Sequence, residues 1–211
     1  MNIVFLGDSI TDMNRNREIV EEGWGWGASY AFIVKALLDT EEPCRHHIYN
    51  RGIGGERITH MYARVKQDCW ALKPDVLSIM SGRNDFNEAT GRNGIDVERF
   101  KKTYRALIEE TKEQFPNVKI IVIEPFVLDT PETESEKFEE FRKMSDYSDA
   151  SREIAESCGA AFVPLQKKFD ELAKQYGAKF WLYDGVHTTA AGAKIMADEW
   201  LKVYKKITAE K

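Results

Sequence analysis

Five short apolar runs alternate with longer amphipathic stretches along this chain, and that alternation limits its fold more than any other feature. The short runs are residues 3–6, 47–50, 76–80, 118–123 and 161–164, of which 118–123 is the clearest. Short runs rich in Val and Ile, with little polar alternation, suit strands buried on both faces. Residues 30–38, 58–72, 97–115, 141–158, 165–176 and 190–207 read as helices; Ala31, Val34, Leu37 and Leu38, for example, line one face. Pro74 and Pro116 stop two of these stretches, and Gly159 is placed to cap a third. Strand then helix, repeated five times, predicts a parallel sheet covered on both faces. The expected architecture is a three-layer α/β/α, flavodoxin-like fold with a central, mostly five-stranded parallel sheet. At roughly 100–200 residues per domain, 211 residues fit a single domain spanning 1–211.

Composition removes several function classes. Hydrophobic residues make up 43% of the chain and charged residues 31%, so a folded core lies under a densely charged surface. A net charge of −5 argues against a nucleic acid partner, whose phosphates need a basic field. No run approaches the roughly 18 apolar residues that a membrane span needs. Cys44, Cys69 and Cys158 stand far apart and form neither a disulfide framework nor a metal-binding pair. The apolar run at residues 3–6 lacks a basic flank and is too short for a signal peptide, so the expected location is the cytoplasm. His46 and His47 are neighbours on a strand and point to opposite sides, a poor metal pair. His60 has no carboxylate at metal spacing. The segment 23–27 is glycine-rich but follows no strand and is not a dinucleotide fingerprint. Neither a metal nor an organic cofactor is expected. Residues 125–137, rich in Pro, Thr and Glu, read as a solvated loop, with a lid over a site as the second reading.

In open parallel sheets, ligands bind beyond the C-terminal ends of the strands. Here those ends carry Gly7-Asp8-Ser9, the stretch Asn50-Arg51-Gly52-Ile53-Gly54-Gly55, then Gly82-Arg83-Asn84-Asp85, and Glu124-Pro125. Each piece has an everyday reading. Ser9 could cap the next helix, and it is not the elbow of α/β-hydrolases, because position 11 is Thr rather than Gly. Gly and Asn are turn residues. Asp184 and His187 are three apart, so on one turn the carboxylate can orient the imidazole. Acyl transfer needs a nucleophile, a base, a group orienting the base, and donors for the developing oxyanion. Ser, Gly, Asn and Asp-x-x-His at strand ends supply all of these, which is far more specific than any part.

These blocks resemble those of the GDSL-type esterases of the SGNH hydrolase superfamily, from residue 3 to about 200, and the pattern is most similar to bacterial acetylxylan and carbohydrate acetylesterases. The resemblance implies that Ser9 is the nucleophile, His187 the base and Asp184 its partner. It implies an oxyanion hole from the Ser9 and Gly55 amides and the Asn84 side chain, Gly55 being chosen over Gly54 by counting from Asn50. Asp8, Arg83, Trp24, Trp26 and Trp181 are candidate substrate contacts. Arg15 and Arg17 are further donors to substrate hydroxyls. The implied function is hydrolysis of short-chain, chiefly acetyl, esters of carbohydrates through an acyl-enzyme. The implied partner is a small ester such as an acetylated oligosaccharide, and a homo-oligomer is among the expectations. The rival readings are a lysophospholipase or thioesterase acting on longer acyl chains with the same residues, and a non-catalytic anion-binding module.

Overall fold

The first strand, β1 (Asn2–Gly7), is apolar from Ile3 to Leu6, and all four of these side chains are fully buried. The computed structural model describes residues 1–18, 23–86, 93–129 and 144–209. After β1 come α1 (Ser9–Asp12), α2 (Tyr30–Glu41), β2 (His47–Gly52), α3 (Ile58–Asp68), β3 (Val76–Met80) and α4 (Val97–Gln114). The second half adds β4 (Lys119–Ile123), α5 (Met144–Ser157), β5 (Ala161–Val163), α6 (Gln166–Tyr176) and α7 (Ala190–Ala209). Among the described residues the sheet strands all pair in parallel, in the order β2-β1-β3-β4-β5. This is the three-layer α/β/α arrangement expected from the alternation.

Side chains alternate across the sheet and feed two cores. Ile3, Phe5, Val76, Met80, Ile121 and Ile123 pack with α2, α6 and α7. Val4, Leu6, Leu77, Ile79, Ile120 and Val122 pack with α3, α4 and α5. Phe5 meets the Tyr30 ring at 5.7 Å and the Trp200 ring at 5.0 Å. Trp200 donates its indole N–H to Ser78 Oγ at 2.9 Å, which satisfies the one polar residue of β3. Burial of each such large side chain stabilises the fold by about 1.5–3 kcal/mol.

The strand order reverses between β1 and β3, which opens a crevice beyond their C-terminal ends. Gly7 aligns with Gly52 on one side and Met80 on the other, so three strand ends finish level there. Helix boundaries differ from the periodicity in small ways. The stretch 58–72 is α3 followed by a separate 3₁₀ turn at Trp70–Leu72. Residues 130–137 of the expected loop and 141–143 of the expected helix lie outside the described residues.

Candidate active site

The chain leaves β1 through Asp8, whose side chain accepts the Ile10 amide at 3.0 Å and caps α1. The cap is therefore Asp8 rather than Ser9. Ser9 becomes the first helical residue, with its amide among the donors that a helix start leaves without intrahelical partners. Its hydroxyl lies 2.8 Å from His187 Nε2. On the other side of the ring, His187 Nδ1 is 2.6 Å from Asp184 Oδ2. Asp184 Oδ1 accepts the amides of Val186 at 3.0 Å and His187 at 2.7 Å, so the carboxylate is fixed by the turn it sits on. An antiparallel bridge between Leu182 and Thr188 closes that turn, and the Tyr183 amide donates to the His187 carbonyl at 3.1 Å.

Electrostatics follow from this packing. Burial pushes the Asp184 carboxyl up, but the His187 imidazole and the two amides outweigh it and hold the group at about 2. The bond to Asp184 raises His187 above its ordinary value, against the effect of its own burial. An imidazole held in this way accepts a proton at Nε2 and is stabilised once charged.

Two neighbouring strand ends complete the crevice. Asn50 binds the Thr11 carbonyl through Nδ2 at 2.7 Å and accepts the Gly52 amide at 2.9 Å, so β2 is tied to α1. The Gly54 amide donates to Asp12 Oδ2 at 2.9 Å and is thus occupied. Gly55 follows with φ of +81° and nothing within 4 Å of where a Cβ would stand, so it takes the left-handed turn on an open face. Asn84, just beyond β3, donates Nδ2 to the Glu56 carbonyl at 2.9 Å, which places it beside the same loop. Asp85 accepts the Ile58 amide at 3.0 Å and the Ser81 hydroxyl at 2.9 Å. Burial pushes both Asp8 and Asp85 up to about 6.

Asp8 is a buried cap. Trp26 is buried in the core beside α2, and Trp181 packs in the same core with Tyr176 and Phe180 at its rings, so neither presents an open indole face. The Trp24 side chain lies outside what the structure describes. Arg83 has its guanidinium 5.9 Å from the Phe86 ring, and its charge reaches Asp8 and His187. Arg15 donates to the Gly52 carbonyl at 3.0 Å and is committed to the loop, whereas Arg17 donates to Asp12 on α1 at 2.9 Å and stays largely exposed. Periodicity and motif spacing missed Tyr183. Its ring stacks on His187 at 5.8 Å and is 53% exposed. The available signal was its place next to Asp184.

Among the described residues no helix is long and apolar enough to cross a membrane. The family described as GDSL-like lipase/acylhydrolase matches residues 5–195. An acetylxylan esterase of Geobacillus stearothermophilus is 33% identical over 95% of this chain and 92% of its own length. An isoamyl acetate-hydrolysing esterase of Saccharomyces cerevisiae is 30% identical over 95% of this chain and 84% of its own. The crystal structure of Axe2, the acetylxylan esterase of G. stearothermophilus, superposes with a TM-score of 0.82 at 32% identity, covering 95% of this chain and 92% of the other.

Proposed function

We propose that this chain, which belongs to the GDSL-like lipase/acylhydrolase family of SGNH hydrolases, hydrolyses short-chain, chiefly acetyl, esters of carbohydrates through an acyl-enzyme. Its being a carboxylic ester hydrolase follows from the family and its named esterase relatives. The observation that carries the mechanism is the unbroken line Ser9–His187–Asp184 at the switch point of the sheet.

In this reading Ser9 Oγ attacks the acyl carbonyl while His187 Nε2 takes its proton. Asp184 keeps the other proton on Nδ1 and stabilises the imidazolium without taking a proton itself. The Ser9 and Gly55 amides and the Asn84 amide group donate to the tetrahedral oxyanion. The alcohol leaves with the proton from His187. Water, activated by the same imidazole, then releases the acid and restores Ser9. No step calls on a metal or an organic cofactor.

Three features favour a short acyl group on a polar alcohol. The segment from Asp12 to Glu18 is polar, and its arginines are tied to Asp12 and Gly52, so it offers no apolar sleeve. Both named relatives act on acetate esters. The exposed Tyr183 ring beside His187 gives a flat surface for the C–H face of a pyranose. We further place the protein in the cytoplasm as a homo-oligomer of single-domain chains.

The test is a panel that varies acyl and alcohol separately. Acetyl esters should exceed octanoyl esters of the same alcohol in kcat/KM, and acetylated xylo-oligosaccharides should exceed an aryl acetate. Preference for octanoyl would favour the long-chain reading. Inactivity on every acetylated sugar would leave a generic short-chain esterase.

A further inference from the structure

We infer that Arg64 is a positioning residue for the oxyanion-binding loop, one guanidinium holding both ends of residues 52–55. The inference rests on the reading of Gly55 and Asn84 as oxyanion donors.

Arg64 lies on α3, and its side chain is only 15% exposed. Its Nη2 donates to the carbonyl of Arg51, just before the loop, at 2.8 Å. Its Nε donates to Glu56 Oε2, just after the loop, at 2.7 Å. Its Nη1 is held by Asp68 one turn further along α3, also at 2.7 Å. The planar fork of arginine can serve three directions at once, and lysine cannot reproduce that. Glu56 is gripped twice, because its carbonyl also receives the Asn84 side chain at 2.9 Å. The guanidinium therefore fixes the residue that joins two of the proposed oxyanion donors, the Gly55 amide and the Asn84 side chain.

The loop needs such a tie. Three of its four residues are glycines, which have many conformations to lose and no side chains to pack. Gly54 is fastened from the α1 side by Asp12, and Gly52 by Arg15. Gly55 has no neighbour within 4 Å of a would-be Cβ, so packing does not set its orientation. On its far side, Arg64 and Glu56 are what tie the loop to α3. The start of α3 is itself pinned to the Asn84 loop by Asp85, which accepts the Ile58 amide at 3.0 Å.

A brace acts on preorganisation, so its loss should appear in kcat and not in KM. Arg64→Gln and Arg64→Lys should each lower kcat for an acetate ester by about 10- to 100-fold, the scale of a donor misplaced by roughly 1 Å. KM should stay within about twofold of wild type. Affinity for a trifluoromethyl ketone, whose serine adduct carries an oxyanion, should fall by the same factor as kcat. Asp68→Asn, which leaves both loop contacts, should change kcat by no more than about twofold. Near-UV circular dichroism selects the variants that fold, and the lysine variant keeps the charge should the glutamine variant fail. A loss confined to KM, or full kcat with lysine, overturns the inference. Asn84→Ala separates the two levels: if it too keeps full kcat, the oxyanion reading itself fails. If it costs the roughly 10²–10³-fold expected of a lost donor while the Arg64 variants are silent, only the role of Arg64 falls.

Discussion

Ser9 Oγ and Asp184 Oδ2 lie 2.8 Å and 2.6 Å from opposite nitrogens of one imidazole, so a proton on Nδ1 leaves Nε2 free to accept. Ser9→Ala should therefore abolish ester hydrolysis, while the melting temperature stays within a few degrees, because the hydroxyl contributes nothing to either core. Residual activity within tenfold of wild type would remove Ser9 as nucleophile. As the proposed base, His187 must be neutral to act, and its bond to Asp184 raises its pKa above 6.5. The acidic limb of kcat/KM should thus have its midpoint above 6.5, and Asp184→Asn should move that limb to lower pH with a lower plateau. A profile flat from pH 5 to 9 would contradict this. The blocks that hold Ser9, Asn84, Asp184 and His187 stand out in the sequence because each is a short local pattern, the first two at strand ends and the last two on the turn before α7. Tyr183 and Arg64 do not, because their roles depend on what the fold brings beside them. Trp26 and Trp181 illustrate the reverse error: nearness in sequence to site residues suggested an open face, and packing buried both.

At the scale of elements, β1, β3 and β4 were read within about one residue because burial on both faces leaves a nearly continuous apolar run, whereas the edge strand β2, which alternates, was read about two residues short. The short α1 was not read as a helix: four residues have no period, and its existence depends on the Asp8 cap and on Asn50 holding the Thr11 carbonyl. The 3₁₀ turns at Gly23–Trp26 and Ala178–Phe180 were missed for the same reason. One contact between elements holds the turn that carries Asp184 and His187. A Cβ on Gly192, near the start of α7, would lie 2.2 Å from the Trp181 carbonyl oxygen. That carbonyl also accepts the Thr189 amide at 2.9 Å, so the turn from Trp181 to Thr189 is docked directly on the helix backbone. Backbone on both sides cannot yield as a flexible side chain would. Gly192→Ala should destabilise the fold by about 1–3 kcal/mol. It should also lower kcat by about tenfold, because Asp184 and His187 ride on the displaced turn. Thermal melts and initial rates on the same preparation check both; an unchanged kcat would show that the turn holds its geometry without that contact.

Across the whole molecule, the site sets stability and activity against each other. Asp8 and Asp85 ionise near 3.8 in an unfolded chain but hold their protons to about 6 when buried. Between those values the folded state binds more protons, so stability falls as pH rises through the window and returns on acidification. His187, raised by Asp184, acts in the same direction: its contribution is full below 6.5 and is lost as pH rises through its folded value. Asp184, held at about 2, contributes above 3.8 and loses that contribution only as pH falls toward 2. His46 opposes the trend, because burial lowers its pKa and the fold favours its neutral form, so its contribution is lost as pH falls below 6.5. One such site stands against two buried carboxyls and the His187 imidazole. The melting temperature should therefore be higher at pH 5 than at pH 8, while kcat/KM runs the other way because His187 is then protonated. Asp85→Asn should shrink the difference in melting temperature: the amide oxygen can still accept from Ile58, the Ser81 hydroxyl can turn to accept from the new amide, and one buried ionisation is gone. Melting curves and rates in the same buffers decide it, and a melting temperature that climbs together with activity toward pH 8 would mean that the buried carboxylates are not held at a cost to the fold.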